Sequence, residues 1–225
     1  PLLTGETLKA LIAKHHQEQN AVTVLTALAS NPYGYGRMIR QEEHIVAIVE
    51  EKDATEAEKR IMEINAGTYC FDQTFLLQAL QELKTDNAQG EYYLTDVIKI
   101  AVEQNLTVGG YLLADFEESL GVNNRLQLAQ AEKIMRQRKL KELMLSGVSI
   151  IDPEHTYVDF EVQVGQDTVL APGVMLEGQT IVGRDCFIGA NSRLTDAVVG
   201  DGTTIQNSII WDSTVGSSCQ IGPFA

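Results

Sequence analysis

Short polar stretches in the first half of the chain carry residue types suited to recognising a small polar ligand. The stretch NPYGYGR, residues 31–37, sets two glycines around an aromatic residue, and glycine lets backbone N–H groups approach a ligand closely. Glu50 ends an apolar run, at the strand end where open α/β sheets bind ligands. Its carboxylate can accept two hydroxyl hydrogen bonds, which is the chemistry of sugar recognition. Taken alone, the glycine stretch also fits a plain turn.

Amide and hydroxyl side chains add further candidate binding residues. Asn65 offers both a donor and an acceptor immediately before a predicted strand at 67–71. The stretch GEYYLTD, residues 90–96, follows a polar loop and leads into a helix. Asn123 stands at the head of a long predicted helix, where an ordinary N-cap is the alternative interpretation.

The histidines and cysteines indicate no competing site. The four histidines match no metal-binding or catalytic spacing: His15, His16, His44 and His155. The three cysteines are odd in number and more than 30 residues apart, which suits neither a disulfide framework nor a zinc site: Cys70, Cys186 and Cys219. We predict reduced thiols in a cytoplasmic protein.

Composition excludes several classes of protein. Lys and Arg number 17 against 31 Asp and Glu, and the net charge of -14 disfavours nucleic-acid binding, which relies on basic faces. No apolar run approaches the roughly 18 residues of a membrane span, and no secretory signal is visible. We therefore expect neither a nucleic-acid partner nor a membrane partner.

Helices and strands alternate before residue 147. Strands are predicted at 21–29, 44–49 and 67–71, and helices after the Thr4 cap and at about 74–83. Asp53 has the form of an N-cap with Glu56 at the third helical position, which predicts a short helix. This order predicts an α/β layer with a mostly parallel sheet.

A long helix is predicted at 123–146. It gathers six of the 17 basic residues on one face, which indicates either a solvated face or an anion-binding face. After Gly147 the helical period gives way to aliphatic residues spaced by five or six: Val158, Val164, Leu170, Leu176, Val182, Ile188, Leu194, Val199, Ile205, Ile210, Val215 and Ile221. Such a hexapeptide run predicts a β-solenoid.

Five motifs in order carry a resemblance to a known family. NPYGYGR, IVEEKDAT, EINAG, NAQGEYYLTD and GVNNRLQL, followed by the hexapeptide run, resemble the bacterial bifunctional N-acetylglucosamine-1-phosphate uridyltransferase and glucosamine-1-phosphate N-acetyltransferase family. The resemblance covers essentially the whole chain. Ala66 stands where the family usually has Thr, a departure that we expect to matter little.

The resemblance implies an α/β fold in three parts. These are a partial Rossmann-like nucleotidyltransferase domain at 1–122, a linker helix at 123–147, and the first coils of a trimerising left-handed parallel β-helix at 148–225. It also implies that five residues surround the N-acetylglucosamine group: Gly36, Glu50, Asn65, Tyr93 and Thr95. Asn123 would help to bind the catalytic Mg²⁺ and the sugar nucleotide.

The resemblance further implies two activities for the parent protein. One makes UDP-N-acetylglucosamine and pyrophosphate from UTP and N-acetylglucosamine 1-phosphate, and the other acetylates glucosamine 1-phosphate with acetyl-CoA, both for cell-wall precursor synthesis. We expect this chain to be a fragment without catalytic residues and inactive alone, because the family's phosphate-binding loop, metal-binding Asp and acetyltransferase site would lie outside it. Two alternatives stay open: a glucose-1-phosphate nucleotidyltransferase with a β-helix, or a non-catalytic trimeric scaffold.

Overall fold

The computed structural model describes residues 1–225, and these divide into two units, Pro1–Val122 and Asn123–Ala225. The helices and strands of the first unit are α1 (Gly5–Glu18), β1 (Val22–Leu28), β2 (Arg37–Gln41), β3 (His44–Val49), β4 (Glu63–Phe71), α2 (Gln73–Glu82), α3 (Asp96–Glu103) and β5 (Val108–Leu112). Two 3₁₀ turns, Glu58–Arg60 and Phe116–Ser119, complete it. None of the chain's helices has the length and apolar character needed to cross a membrane.

The five strands form one mixed sheet in the order β3-β2-β4-β1-β5. Only β1 and β5 pair in parallel, and the other neighbouring pairs are antiparallel. The prediction of a mostly parallel sheet was therefore wrong. The reason is local: only residues 42–43 separate β2 from β3, and Glu42 has φ of 55°, so the two strands form a tight hairpin instead of a helical crossover.

β4 is longer than predicted and contains a bulge. It begins at Glu63 rather than at residue 67. Val24 pairs with Tyr69, but Thr26 pairs with Asn65, so residues 66–68 all lie opposite a single residue of β1. Gly67 has φ of 74°, a conformation that glycine adopts readily, and it allows the strand to bend there.

Apolar side chains of β1 are buried on both faces of the sheet. Val22 and Val24 belong to a core shared with α2 and α3, whereas Leu25 and Ala27 belong to a second core shared with α1. Successive strand residues point to opposite faces, which explains why this strand is apolar except for Thr23 and Thr26, both of which are also buried. The sheet therefore lies between helices on its two sides.

Side-chain caps fix the ends of several helices. Asp72 accepts a hydrogen bond from the Phe75 N–H at 2.8 Å and caps α2. The cap predicted at Asp53 was wrong: the capping box forms two residues later, where Thr55 N–H donates to the Glu58 carboxylate at 2.7 Å and Glu58 N–H donates to the Thr55 hydroxyl at 3.3 Å. Asp53 instead accepts from Ala88 N–H at 2.8 Å, so its carboxylate holds a distant loop.

The second unit consists of a long helix and a parallel β-solenoid. Helix α4 spans Arg125–Leu145, with Asn124 as its N-cap. Thirteen short strands and a 3₁₀ turn at Pro153–His155 follow: β6 (Ser149–Ile150), β7 (Tyr157–Val158), β8 (Gln163–Val164), β9 (Val169–Leu170), β10 (Met175–Glu177), β11 (Ile181–Val182), β12 (Phe187–Ile188), β13 (Arg193–Thr195), β14 (Val198–Val199), β15 (Thr204–Ile205), β16 (Ile209–Trp211), β17 (Thr214–Val215) and β18 (Gln220–Ile221).

The solenoid strands stack into three parallel sheets, with orders β16-β13-β10-β7, β17-β14-β11-β8 and β18-β15-β12-β9-β6. The predicted solenoid is confirmed, and the aliphatic residues at hexapeptide spacing form its core. Buried hydroxyls join adjacent coils: Thr168 donates to the Gly183 carbonyl at 2.8 Å and accepts from Cys186 N–H at 3.0 Å. Satisfying these groups avoids the cost of burying unpaired polar atoms.

Two basic residues of α4 are not solvated. Lys139 is 7% exposed, with its Nζ 3.2 Å from Glu142 Oε1. The Arg136 guanidinium lies 4.3 Å from the centroid of the Tyr157 ring. Of the two interpretations, the solvated face therefore fails at these positions, because their long side chains pack against the first coil of the solenoid.

Candidate functional site

A cavity of about 370 Å³ opens beside the end of β3. Its lining includes three of the candidate binding residues, Glu50, Tyr93 and Thr95. Larger cavities of about 700 and 550 Å³ lie elsewhere in the first unit. We favour the smaller cavity because neither of the larger ones is lined by any of the residues that the motifs single out.

Glu50 follows β3 directly and is held by Thr95. The Thr95 hydroxyl donates to Glu50 Oε1 at 3.1 Å, and Thr95 is itself only 6% exposed. Gly36 lies against the same carboxylate, because a Cβ at this position would be 3.3 and 3.4 Å from its two oxygens. Three of the candidate residues, distant in sequence, are thus brought together around one carboxylate.

Asn65 joins this group through the backbone and through the β4 bulge. Its N–H donates to the Gly36 carbonyl at 2.9 Å. Its side chain accepts from Gly67 N–H at 2.9 Å and donates from Nδ2 to the Tyr69 hydroxyl at 2.7 Å. Asn65 is therefore held in one orientation beside Gly36 and Glu50.

Tyr69 is a residue that the sequence analysis missed. Burial raises the pKa of its phenol to about 12, the Asn65 amide opposes this rise in pKa, and the negative charge of Glu50 adds to it. The phenol therefore keeps its proton at neutral pH. No sequence signal placed Tyr69 near Asn65, because four residues of a regular strand span about 13 Å.

Tyr93 projects from a loop that is ordered by its own side chains. Gln89 Nε2 donates to the Tyr93 hydroxyl at 2.8 Å, and Asn87 Oδ1 accepts from Gln89 N–H at 3.1 Å. Desolvation raises the pKa of Tyr93, and the charges of Asp53 and Glu50 raise it further. Tyr93 is thus a neutral hydroxyl on the wall of an acidic cavity.

Arg37 is a second residue whose role was missed, although it lies within the first motif. It is 1% exposed, its Nη2 lies 2.6 Å from Glu51 Oε2, and it also donates to the Tyr35 carbonyl. Gly34 N–H donates to the same Glu51 oxygen at 3.1 Å. Hydrogen bonding to Arg37, and then to Gly34, lowers the pKa of Glu51. This ion pair, in which Arg37 is buried and Glu51 is partly exposed, holds the glycine turn against the end of β3.

Asn123 belongs to the second unit. Its backbone N–H donates to Gln127 Oε1 at 2.7 Å, and it is Asn124 that caps α4. The Asn123 side chain is therefore not used as the helix cap. Its amide oxygen is a donor type that Mg²⁺ accepts.

No group of three or more His, Cys, Asp or Glu side chains is arranged to hold a metal ion. Mg²⁺ commonly takes only one or two protein ligands and completes its shell with water and substrate phosphates, so the Asn123 oxygen fits such a role.

Two family models match the chain. The model described as nucleotidyl transferase matches residues 2–119, and the model described as bacterial transferase hexapeptide (six repeats) matches residues 161–196. Similar curated proteins are named "Bifunctional protein GlmU". Examples are those of Geobacillus sp. (strain WCH70), 52% identical over 227 residues, Listeria welshimeri, 49% over 226, and Streptococcus agalactiae, 48% over 226.

Each of these relatives matches 100% of this chain, whereas the chain covers 49%, 50% and 49% of their respective lengths. The chain therefore spans about half the length of the curated relatives that it matches. The resemblance drawn from the five motifs and the hexapeptide run is confirmed. The chain belongs to the nucleotidyl transferase family, and it joins a nucleotidyl transferase segment to a segment of bacterial hexapeptide transferase repeats.

Proposed function

We propose that this chain is part of an enzyme that makes UDP-N-acetylglucosamine from UTP and N-acetylglucosamine 1-phosphate, with release of pyrophosphate. The observation that carries the proposal is the arrangement of Gly36, Glu50 and Thr95 at the end of β3. The family model over residues 2–119 supports the reaction class. The hexapeptide model supports a second activity of the whole protein, acetylation of glucosamine 1-phosphate with acetyl-CoA.

Glu50 is proposed to bind hydroxyl groups of the sugar. One carboxylate oxygen accepts the Thr95 hydroxyl at 3.1 Å, which fixes the direction of the group. The other oxygen, and the remaining lone pair of the first, can accept hydroxyl hydrogens, and such charge-assisted hydrogen bonds are stronger than neutral ones. Gly36 leaves room beside the carboxylate because it has no side chain.

Asn65 and Tyr93 supply neutral polar groups for the rest of the sugar. Both are held by neighbours, Asn65 by Tyr69 and Tyr93 by Gln89, so little side-chain freedom would be lost on binding. Lys99 also lines the cavity and is the only cationic side chain that does so. The role of this chain's residues in the reaction is to bind and orient the sugar phosphate.

Mg²⁺ is the proposed cofactor, with Asn123 as the residue of this chain that would help to hold it. When bound, the ion would offset the phosphate charge during in-line displacement at the α-phosphorus of UTP. This assistance matters for a chain with a net charge of -14, which by itself repels anions. Positioning and charge neutralisation suffice for phosphoryl transfer, and no protein nucleophile is required.

A homotrimer assembled through the solenoid is also part of the proposal. Large apolar side chains exposed on the coils support it: Met175, Ile181, Phe187, Val198, Ile209 and Trp211. A cytoplasmic setting is supported by the three free cysteines. The relatives at 48–52% identity favour this enzyme over a glucose-1-phosphate nucleotidyltransferase or a non-catalytic scaffold.

Calorimetric titration tests the sugar assignment. We expect the chain to bind N-acetylglucosamine 1-phosphate more tightly than glucose 1-phosphate. Glu50→Gln removes the charge from the central hydrogen bonds and should weaken binding about 10-fold or more. Glu161→Gln, at an exposed solenoid position, is the matched control and should bind as the wild type does. A folded wild-type chain that binds no sugar phosphate would refute the assignment.

A further inference from the structure

The β4 bulge creates a side-chain contact that a regular strand would not allow. Asn65 and Tyr69 are four residues apart, a separation of about 13 Å in an extended strand. In this fold Asn65 Nδ2 and the Tyr69 hydroxyl oxygen are 2.7 Å apart, because residues 66–68 bulge opposite a single residue of β1. The contact is therefore a product of the bulge.

Different neighbours fix the positions of the oxygen and the nitrogen of the Asn65 side-chain amide. Gly67 N–H donates to Oδ1 at 2.9 Å, so a flipped amide would place two donors against each other. Tyr69 accepts one of the two Nδ2 hydrogens. Nδ2 makes no other hydrogen bond within the protein, so its second hydrogen is available to a ligand. The Asn65 backbone N–H donates to the Gly36 carbonyl at 2.9 Å, and Gly36 lies against the Glu50 carboxylate.

Tyr69 does not depend on Asn65 for its own position. Its ring stacks on Phe71, with centroids 5.4 Å apart and an interplanar angle of 21°. Packing of the ring against Phe71 therefore places the Tyr69 hydroxyl next to Asn65. Removing only the hydroxyl should leave the ring in place.

We infer that Tyr69 is a positioning residue for the sugar site: its hydroxyl locks the Asn65 amide so that the free Nδ2 hydrogen is presented to an acceptor oxygen of the ligand. This inference rests on the proposed function. It adds to the site a residue that would act through Asn65 and not by contact with the sugar.

A double-mutant cycle tests the inference. Tyr69→Phe, Asn65→Ala and the combined variant are titrated with N-acetylglucosamine 1-phosphate. We expect Tyr69→Phe to weaken binding about 3- to 10-fold, the effect of one neutral hydrogen bond. In the Asn65→Ala background the same change should cause no further loss, since its target is already gone. Tyr111→Phe, a partly buried tyrosine on β5, should bind as the wild type does.

Two outcomes of the titrations would overturn the inference. An unchanged dissociation constant for Tyr69→Phe would show that the hydrogen bond between Tyr69 and Asn65 does not contribute to sugar-phosphate binding. Independent losses that multiply in the combined variant would show that Tyr69 does not act through Asn65. A decrease confined to the melting temperature, without a change in affinity, would likewise leave Tyr69 with a structural role only.

A second measurement needs no ligand. The side-chain amide resonances of Asn65 should shift in Tyr69→Phe and stay unchanged in Tyr111→Phe. Absence of that shift would overturn the inference even if the affinity changed. If the wild-type chain binds no sugar phosphate, the proposed function fails, and the amide resonances decide by themselves whether Tyr69 holds Asn65.

Discussion

Gly36→Ala is the substitution that best tests the geometry around Glu50. A Cβ at this position would lie 2.9 Å from Cγ2 of Ile48 and 3.3 and 3.4 Å from the two Glu50 oxygens. Carbon atoms pack best at about 3.5–4.0 Å, so the methyl groups would overlap by roughly 0.6 Å or more. Ile48 is 6% exposed and its methyl group cannot withdraw freely, so the backbone at residue 36 has to shift away from it. The Glu50 carboxylate, at 3.3 and 3.4 Å, then has to give by a few tenths of an ångström.

The expected stability change is small. Overpacking of this kind costs about 1–3 kcal/mol, and replacing glycine offsets about 0.4–1 kcal/mol through the unfolded state. The net loss is therefore about 0–2.6 kcal/mol. The expected affinity change is larger, because a displaced carboxylate forfeits a charge-assisted hydrogen bond of about 1.5–3 kcal/mol, which corresponds to roughly 10- to 150-fold weaker binding.

Urea unfolding and calorimetric titration with N-acetylglucosamine 1-phosphate measure the two quantities separately. Gly5→Ala is the control, because its added Cβ would meet nothing within 4 Å. We expect the control to match the wild type in affinity. Wild-type affinity in Gly36→Ala would refute the reasoning, since it would mean that the Glu50 carboxylate can shift without consequence for the ligand.

Two further predictions concern the core and the buried phenol. Leu176→Ala removes a side chain that is 0% exposed in the solenoid and should cost about 2–5 kcal/mol in urea unfolding, whereas Ile151→Ala, at 61% exposure, should cost far less; equal losses would contradict the assigned core. Because burial raises the pKa of Tyr69 to about 12, above the ordinary tyrosine value of about 10, the folded protein keeps the phenol proton to a higher pH than the unfolded chain does. Stability should therefore fall as pH rises from about 10 towards 12, by up to about 1.4 kcal/mol per pH unit, and this component should be missing in Tyr69→Phe; parallel pH profiles of the two proteins would contradict it.

The sequence by itself determined the solenoid and singled out three residues that the fold brings together. Leu170, Leu176 and Ile188 recur at the hexapeptide spacing, and each is 0% exposed. This prediction succeeds because every coil repeats the same pairing with its neighbour, so a local pattern specifies the packing. The motifs likewise named Gly36, Glu50 and Thr95, which the fold brings together.

Only the tertiary structure decided strand direction and the contacts behind the site. The β2–β3 hairpin made the sheet mixed, and the β4 bulge placed Tyr69 against Asn65. Arg37 is charged, yet it is buried, because its guanidinium is paired with Glu51 and donates to the Tyr35 carbonyl. These features have one physical reason in common. Strand register, bulges and ion pairs such as Arg37–Glu51 depend on residues that are distant in the sequence or displaced by a bulge. Neither hydrophobic periodicity nor residue type indicates which of those residues will be the partner.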